Sequence, residues 1–182
     1  RFGGRLTMET MSVDDMTGSD WVAQTLDELA AMPNVRLLPR TTVFGVFDHG
    51  IFGALECKTA HLSSSEGQPR QVLWRVYAKR SSLGAGATER SIAFTNNDRP
   101  GIMLAGAVRA YANRFGTLTG KRVAVLTNND DGWRTARDLA AAGAKNVAVI
   151  DTRSKKKNPL PAGIDLFQGQ HVLDTSGRHG LK

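Results

Sequence analysis

Apolar residues along this chain recur at two different spacings, and the changes of spacing divide it into elements. From Ser19 to Ala31, Val22, Leu26, Leu29 and Ala30 fall on one side of a helix, with Ser19 or Asp20 as the N-cap. Met32-Pro33-Asn34 ends it. Val35 to Leu38 reads as a short strand. Thr41 to Phe47 then alternates, with Thr42, Phe44 and Val46 on one side and Val43, Gly45 and Phe47 on the other. Asp48-His49-Gly50 supplies a turn, and Ile51 to Cys57 runs back. After the polar loop Ser63 to Gly67, Gln71 to Lys79 is a further alternating strand. The pattern predicts a three-stranded antiparallel meander.

Helical spacing returns from Ile102 to Phe115, where Leu104, Ala107, Val108, Tyr111 and Phe115 share a face, and Gly116 stops it. Arg122 to Leu126 is apolar and β-branched, as in a strand buried on both faces. Trp133 to Ala142 is a helix stopped by Gly143, Asn146 to Ile150 is the next strand, and Gly169 to Leu173 reads as a last short one. Strand, helix, strand at these lengths predicts a right-handed parallel crossover. The fold class is therefore α/β. We divide it into residues 1–116, part of a first nucleotide-binding domain with the meander and a connecting helix, and 117–182, part of a second, Rossmann-like domain.

Composition narrows the chemistry. No apolar run approaches the roughly 20 residues of a membrane span, and no basic-then-apolar leader opens the chain. We expect no membrane partner and a cytoplasmic protein. Cys57 is the only cysteine, which excludes an internal disulfide, a CxxC pair and a thiolate metal cluster. The net charge of +7 raises nucleic acid. The cations, however, are scattered without interleaved aromatics, and the one dense run, Lys155-Lys156-Lys157, precedes Asn158-Pro159 in a loop, so none is expected. Charge of this kind also fits a segment whose partners carry the balance. The start at Arg1, inside what reads as a motif, suggests a piece of a longer subunit.

Several stretches could meet a cofactor. Lys121 to Asp151 has the layout of a dinucleotide-binding unit, with Asp151 where a ribose carboxylate belongs. Its turn, Thr127-Asn128-Asn129-Asp130-Asp131-Gly132, sets two carboxylates where a pyrophosphate needs glycines. We read this unit as a fold without its ligand, in which Asp130 caps the helix and Asp151 is solvated. Gly84-Ala85-Gly86-Ala87-Thr88-Glu89 begins like G-x-G-x-x-G but carries Glu89 at the third glycine. It suits a close backbone approach to a ligand, or a plain turn. Phe2-Gly3-Gly4-Arg5 offers two glycines and a donor-rich side chain for a phosphate or ribose, or a mobile terminus. The four histidines are not paired at helical spacing, no Ser-His-Asp or Cys-His grouping is visible, and we assign no catalytic residue and no metal site.

FGGRL near the start, TTVFGVFDHG, LGAGATERSIAFTNNDRPGIMLAGAVRAYANRFG and GKRVAVLTNNDDGWRTARDLAAAG together resemble the alpha subunit of heterotetrameric sarcosine oxidase, over nearly all of residues 1–182. Glu89 to Gly143 is the most specific part. The resemblance implies a partial two-dinucleotide-binding-domain, disulfide-reductase-like fold with an antiparallel β meander and a Rossmann-like βαβ unit. It implies a phosphate loop just before Arg1. It also implies a complex that oxidises sarcosine to glycine, with a one-carbon product and hydrogen peroxide. In such a complex NAD belongs to this subunit, FAD and FMN to the wider assembly, tetrahydrofolate to a C-terminal region beyond this segment, and beta, gamma and delta subunits are the partners. Carried onto this sequence, Arg5 matches a cofactor-contacting position and Val43 the strand residue whose backbone meets adenine, with Gly3, Gly4 and Gly86 as looser matches. The pattern departs at Ala85, where a threonine is common. Another amine or opine dehydrogenase subunit, or a scaffold that binds only protein partners, remains open on these residues.

Overall fold

The computed structural model describes residues 2–154 and 161–181. The lysine run at 155–157 lies outside them. The chain forms two compact units, Arg1–Gly4 with Ser19–Ala87, and Arg5–Gly18 with Thr88–Lys182.

The first unit contains helix α1 (Gly18–Ala31, its first residue belonging to the other unit) and three antiparallel strands, β3 (Thr41–Phe47), β4 (Ile51–Cys57) and β5 (Gln71–Tyr77), in the order β3-β4-β5. The alternating pattern thus becomes the expected meander. Val35 to Leu38 forms no strand. Pro39 lacks the N–H needed to extend that run into a ladder, and Arg40 turns the chain with φ +52°. The register slips between Val43 and Gly45, so Phe44 is an extra residue in β3. A Cβ on Gly53 would lie 2.6 Å from the Phe44 ring, so only glycine lets that ring lie across the sheet. Ala54 and Glu56 are buried, and the Trp74 indole N–H donates to Glu56 at 2.8 Å, satisfying the carboxylate.

The second unit opens within a 3-10 turn, Gly4–Met8, whose first residue belongs to the other unit, and continues with a small hairpin of β1 (Ser12–Val13) and β2 (Met16–Thr17). Helix α2 (Ala105–Arg109) passes directly into a π-helix over Ala110–Arg114. Strand β6 (Arg122–Thr127), helix α3 (Asp130–Ala141), β7 (Asn146–Asp151) and β8 (Ile164–Gln168) follow, and the three strands form a parallel sheet in the order β6-β7-β8. Val108, Ala112, Val125, Trp133, Ala136, Leu139, Val147 and Val149 make its core. The last strand lies five residues earlier than the sequence reading placed it. Gly163 and Gly169, at φ +89° and +65°, bound it, and Ile164 to Gln168 already takes every β7 partner from Val147 to Asp151.

The helix after Gly101 also differs from the amphipathic reading. It begins at Ala105, because both oxygens of Glu89 accept from the Ala105 and Gly106 N–H groups, at 2.9 and 2.7 Å. Its inward face is Val108, Arg109 and Ala112, while Tyr111 and Phe115 are exposed and pack edge-tilted on each other at 6.1 Å. Arg109 turns inward because three carboxylates wait there.

Candidate functional site

Of the residues singled out from sequence, Gly3, Gly4, Val43 and Gly86 belong to the first unit and Arg5 to the second. In the first unit an open depression of about 280 Å³ is lined by Phe2, Leu38, Pro39, Arg40, Thr41 and Thr42. That is close to the lower bound of small-ligand pockets. Gly3 follows Phe2 in sequence, and Val43 follows Thr42 along β3.

Strand geometry decides what Val43 presents. The Cys57 N–H donates to the Arg40 carbonyl at 2.9 Å, so Arg40 and Cys57 form a hydrogen-bonded pair. Antiparallel pairs alternate, so Thr42 and Leu55 form the next such pair and Val43 opposite Ala54 does not. The N–H and C=O of Val43 therefore point to the edge of the sheet away from β4. They are one donor and one acceptor on the same edge. Val43 is 56% exposed.

The glycines keep backbone approachable. Gly4, at φ +45°, and Gly86, at φ +71°, have nothing within 4 Å of where a Cβ would stand. Sequence reasoning missed Arg40. It lines the depression in a left-handed conformation uncommon for a side chain of its size, and its Nε donates to the Cys57 carbonyl at 3.3 Å. The only sequence signal was its place after Pro39 at the entry to a strand.

Arg5 is engaged inside the second unit. Its Nε meets Glu9 Oε1 at 2.7 Å, and a second nitrogen donates to Asp131 Oδ1. These carboxylates, Asp131 first, hold its pKa above the ordinary arginine value against the opposing effect of burial.

The strand ends of the second unit are closed by its own side chains. Asp151, read from sequence as solvated, is 0% exposed. Its oxygens accept from the Trp133 indole at 2.7 Å, from Arg153 Nε and Nη2 at 2.9 and 2.6 Å, and from the Arg153 backbone N–H at 3.0 Å. Arg153, first by its side chain and then by its backbone, and the Trp133 N–H pull the Asp151 pKa down to about 2 although desolvation pushes it up. Arg153 Nη1 also reaches Asp130 at 2.9 Å. Asn129, not Asp130, caps α3, accepting from the Asp131 N–H at 3.0 Å. A Cβ on Gly132 would stand 2.3 Å from the Thr127 Cβ, so strand and helix touch where a phosphate cradle would need room. Among the described residues, no group of three or more His, Cys, Asp or Glu could hold a metal ion, and no helix is long and apolar enough to cross a membrane.

No family model matches the chain. It is 44% identical over 172 residues to sarcosine oxidase subunit alpha of Rhizobium meliloti (strain 1021), a match covering 94% of this chain and 17% of that protein. It is 45% identical to the subunit alpha of Corynebacterium sp. (strain U-96) and 41% to that of Corynebacterium sp. (strain P-1), each over 169 residues, 90% of this chain and 17% of the relative. The chain thus spans about one sixth of the length of the curated relatives it matches. In structure it is similar to L-proline dehydrogenase from P. horikoshii, with a TM-score of 0.63 at 18% identity, covering 98% of this chain and 30% of that one. That likeness bears out the α/β fold, with its antiparallel meander and parallel βαβ unit. At 41–45% identity across nine tenths of its residues, the chain is similar to one segment of sarcosine oxidase subunit alpha.

Proposed function

We propose that this chain is the NAD-holding segment of a sarcosine oxidase alpha subunit, part of a cytoplasmic complex that oxidises sarcosine to glycine and yields a one-carbon product and hydrogen peroxide. The observation that supports it most directly is the outward-facing backbone of Val43 beside the depression lined by Phe2 and Leu38 to Thr42. In this reading Val43 holds the adenine through its N–H and C=O. Gly3 and Gly4 bring backbone close to the ribose or phosphates, and Gly86 does so from its own loop. Arg40 supplies a cation at the rim. NAD, when bound, supplies a nicotinamide that accepts hydride. Residues 1–116 would then belong to the first nucleotide-binding domain and 117–182 to the second. FAD, FMN, tetrahydrofolate and the beta, gamma and delta subunits would meet other parts of the assembly.

The test is the nucleotide content of the full subunit. NAD released on denaturation should be stoichiometric with the wild-type subunit and depleted by Val43→Asp, which sets a charge on the strand bearing the adenine contact. Equal NAD in both proteins would sink the assignment.

A further inference from the structure

Among the described residues, the antiparallel sheet of the first unit has one apolar face left open. Residues directly opposite one another in a sheet share a face, and residues two apart along a strand join them. The register sets Phe47, Ile51 and Tyr77 in one row, Gly45, Gly53 and Arg75 in the next, and Thr42, Leu55 and Leu73 in a third. All three rows stand on the same face. Its two glycines carry the rings of neighbours: a Cβ on Gly45 would lie 2.7 Å from the Phe47 ring, and one on Gly53 would meet the Phe44 ring. Phe44, Phe47, Leu55, Leu73 and Tyr77 are all exposed, from 38% at Leu55 to 70% at Leu73. Arg75 is the one charged residue in the three rows.

Exposure on this scale stands against a very small core. Among the described residues of this unit, only Val22 and Ala54 are buried apolar side chains. A three-stranded sheet gains independent stability by packing a hydrophobic face on another layer. The opposite face is partly closed from within the unit. Ala54 and Glu56 are buried there, and the Arg36 guanidinium lies 4.3 Å from the centre of the Trp74 ring. The Phe44 face instead offers five large apolar side chains to one charge. A transient protein interface is about as polar as the rest of a surface, so this composition is that of a core cut open.

We propose that this face is an internal packing surface, covered in the complete alpha subunit by an apolar layer from the part of the same polypeptide outside these 182 residues. The curated relatives extend far beyond the match, which covers 17% of each. A unit with so small a core needs its cover while it folds, and a segment of the same chain is then present at high effective concentration. A separately made subunit arrives later, after the open sheet has been exposed to aggregation. The glycines suit a close layer, because both rings lie down on the sheet and leave it level enough for a second layer at the roughly 10 Å spacing of packed sheets. The inference rests on reading the chain as one segment of a longer alpha subunit, and it is independent of where NAD binds.

The experiment uses the complete alpha subunit in its complex. Ser64, exposed in the polar loop, is the reference position. Leu73→Cys and Tyr77→Cys should react with a maleimide at least about tenfold more slowly than Ser64→Cys, since reaction must await local opening, and all three should react alike in urea. Peptide mass spectrometry scores each site apart from Cys57. Equal rates in the native protein overturn the proposal. The occupant is identified with Tyr77→benzoylphenylalanine, which keeps an aromatic ring and also decides the matter if a cysteine variant fails to fold. Its benzophenone inserts into C–H bonds pressed against it, so a covered face must give a product. The expected product is a cross-link within a single alpha polypeptide, to a peptide outside residues 1–182. A cross-link to another subunit, to a second copy (a product of twice the subunit mass), or to residues 1–182 overturns the proposal, and so does the absence of any product. A native polypeptide no longer than these 182 residues overturns the segment reading as well.

Discussion

At the scale of single residues, the proposed adenine contact makes Val43 and its neighbour behave oppositely. Proline removes a backbone N–H. At Val43 that N–H faces away from β4, and β3 is an edge strand, the place where a sheet tolerates proline. At Thr42 the N–H belongs to a hydrogen-bonded pair with Leu55. Val43→Pro should therefore deplete NAD with a thermal midpoint near wild type. Thr42→Pro should cost at least about 1 kcal/mol of stability through the broken ladder bond. Measuring midpoint and NAD content together checks the contrast, and equal effects at both positions would contradict the register. Arg40 gives a second residue-scale expectation. Arg40→Ala should weaken NAD, and that loss should shrink in high salt, because the screened part of the attraction is the part removed.

At the scale of elements, patterns carried in neighbouring residues were legible and interactions across the fold were not. Thr41 to Phe47 and Ile51 to Cys57 announced themselves by β-branched alternation on either side of Asp48-His49-Gly50, and both strands have those bounds. The βαβ unit was equally plain. The helix around Arg109 was misread because hydrophobic spacing assumes that the inner face is apolar. Arg109 is buried by partners 29 and 100 residues away, Asp138 and Glu9, which no local window contains. Asp151, expected from sequence to be solvated, is buried because Arg153, two residues on, folds back over it and the Trp133 indole reaches it from another element, neither of which periodicity signals. For the candidate site, the glycines and Val43 were legible as motif, whereas Arg40 entered only once Pro39 and the left-handed turn had been placed. The acidic turn after β6 was legible as unsuited to phosphate, and its packing sharpens the point. Gly132→Ala would drive a methyl into Thr127 and should cost about 1–3 kcal/mol by overpacking. Thr127→Ser paired with it should recover part of that loss, because the Thr127 methyl carbon, 2.7 Å from the added Cβ, would be gone. Chemical denaturation of the four proteins of that cycle measures the coupling, and additive losses would refute the contact.

At the scale of the whole molecule, the buried Asp151 should set part of the acid limit of folding. Its pKa falls from an ordinary 3.8 to about 2 in the folded chain, first because Arg153 donates to it. A carboxylate held down in the native state stabilises folding above its unfolded pKa, and that stabilisation disappears as pH falls through the folded value. From neutral pH to about 4 this group should leave stability flat. Between about 4 and 2 it should withdraw roughly 2 kcal/mol, the equivalent of its shift. Arg153 remains charged throughout, its own pKa being raised by Asp151, so the slope comes from the carboxylate alone. Asp151→Asn should be less stable than wild type at neutral pH, because Arg153 keeps its charge beside a neutral amide. The two curves should converge as pH drops toward 2. Urea unfolding of the two proteins at stepped pH, followed by helical circular dichroism, gives both curves. Parallel curves would mean that Asp151 is protonated at the same pH whether folded or unfolded, contrary to the four donors that hold it ionised.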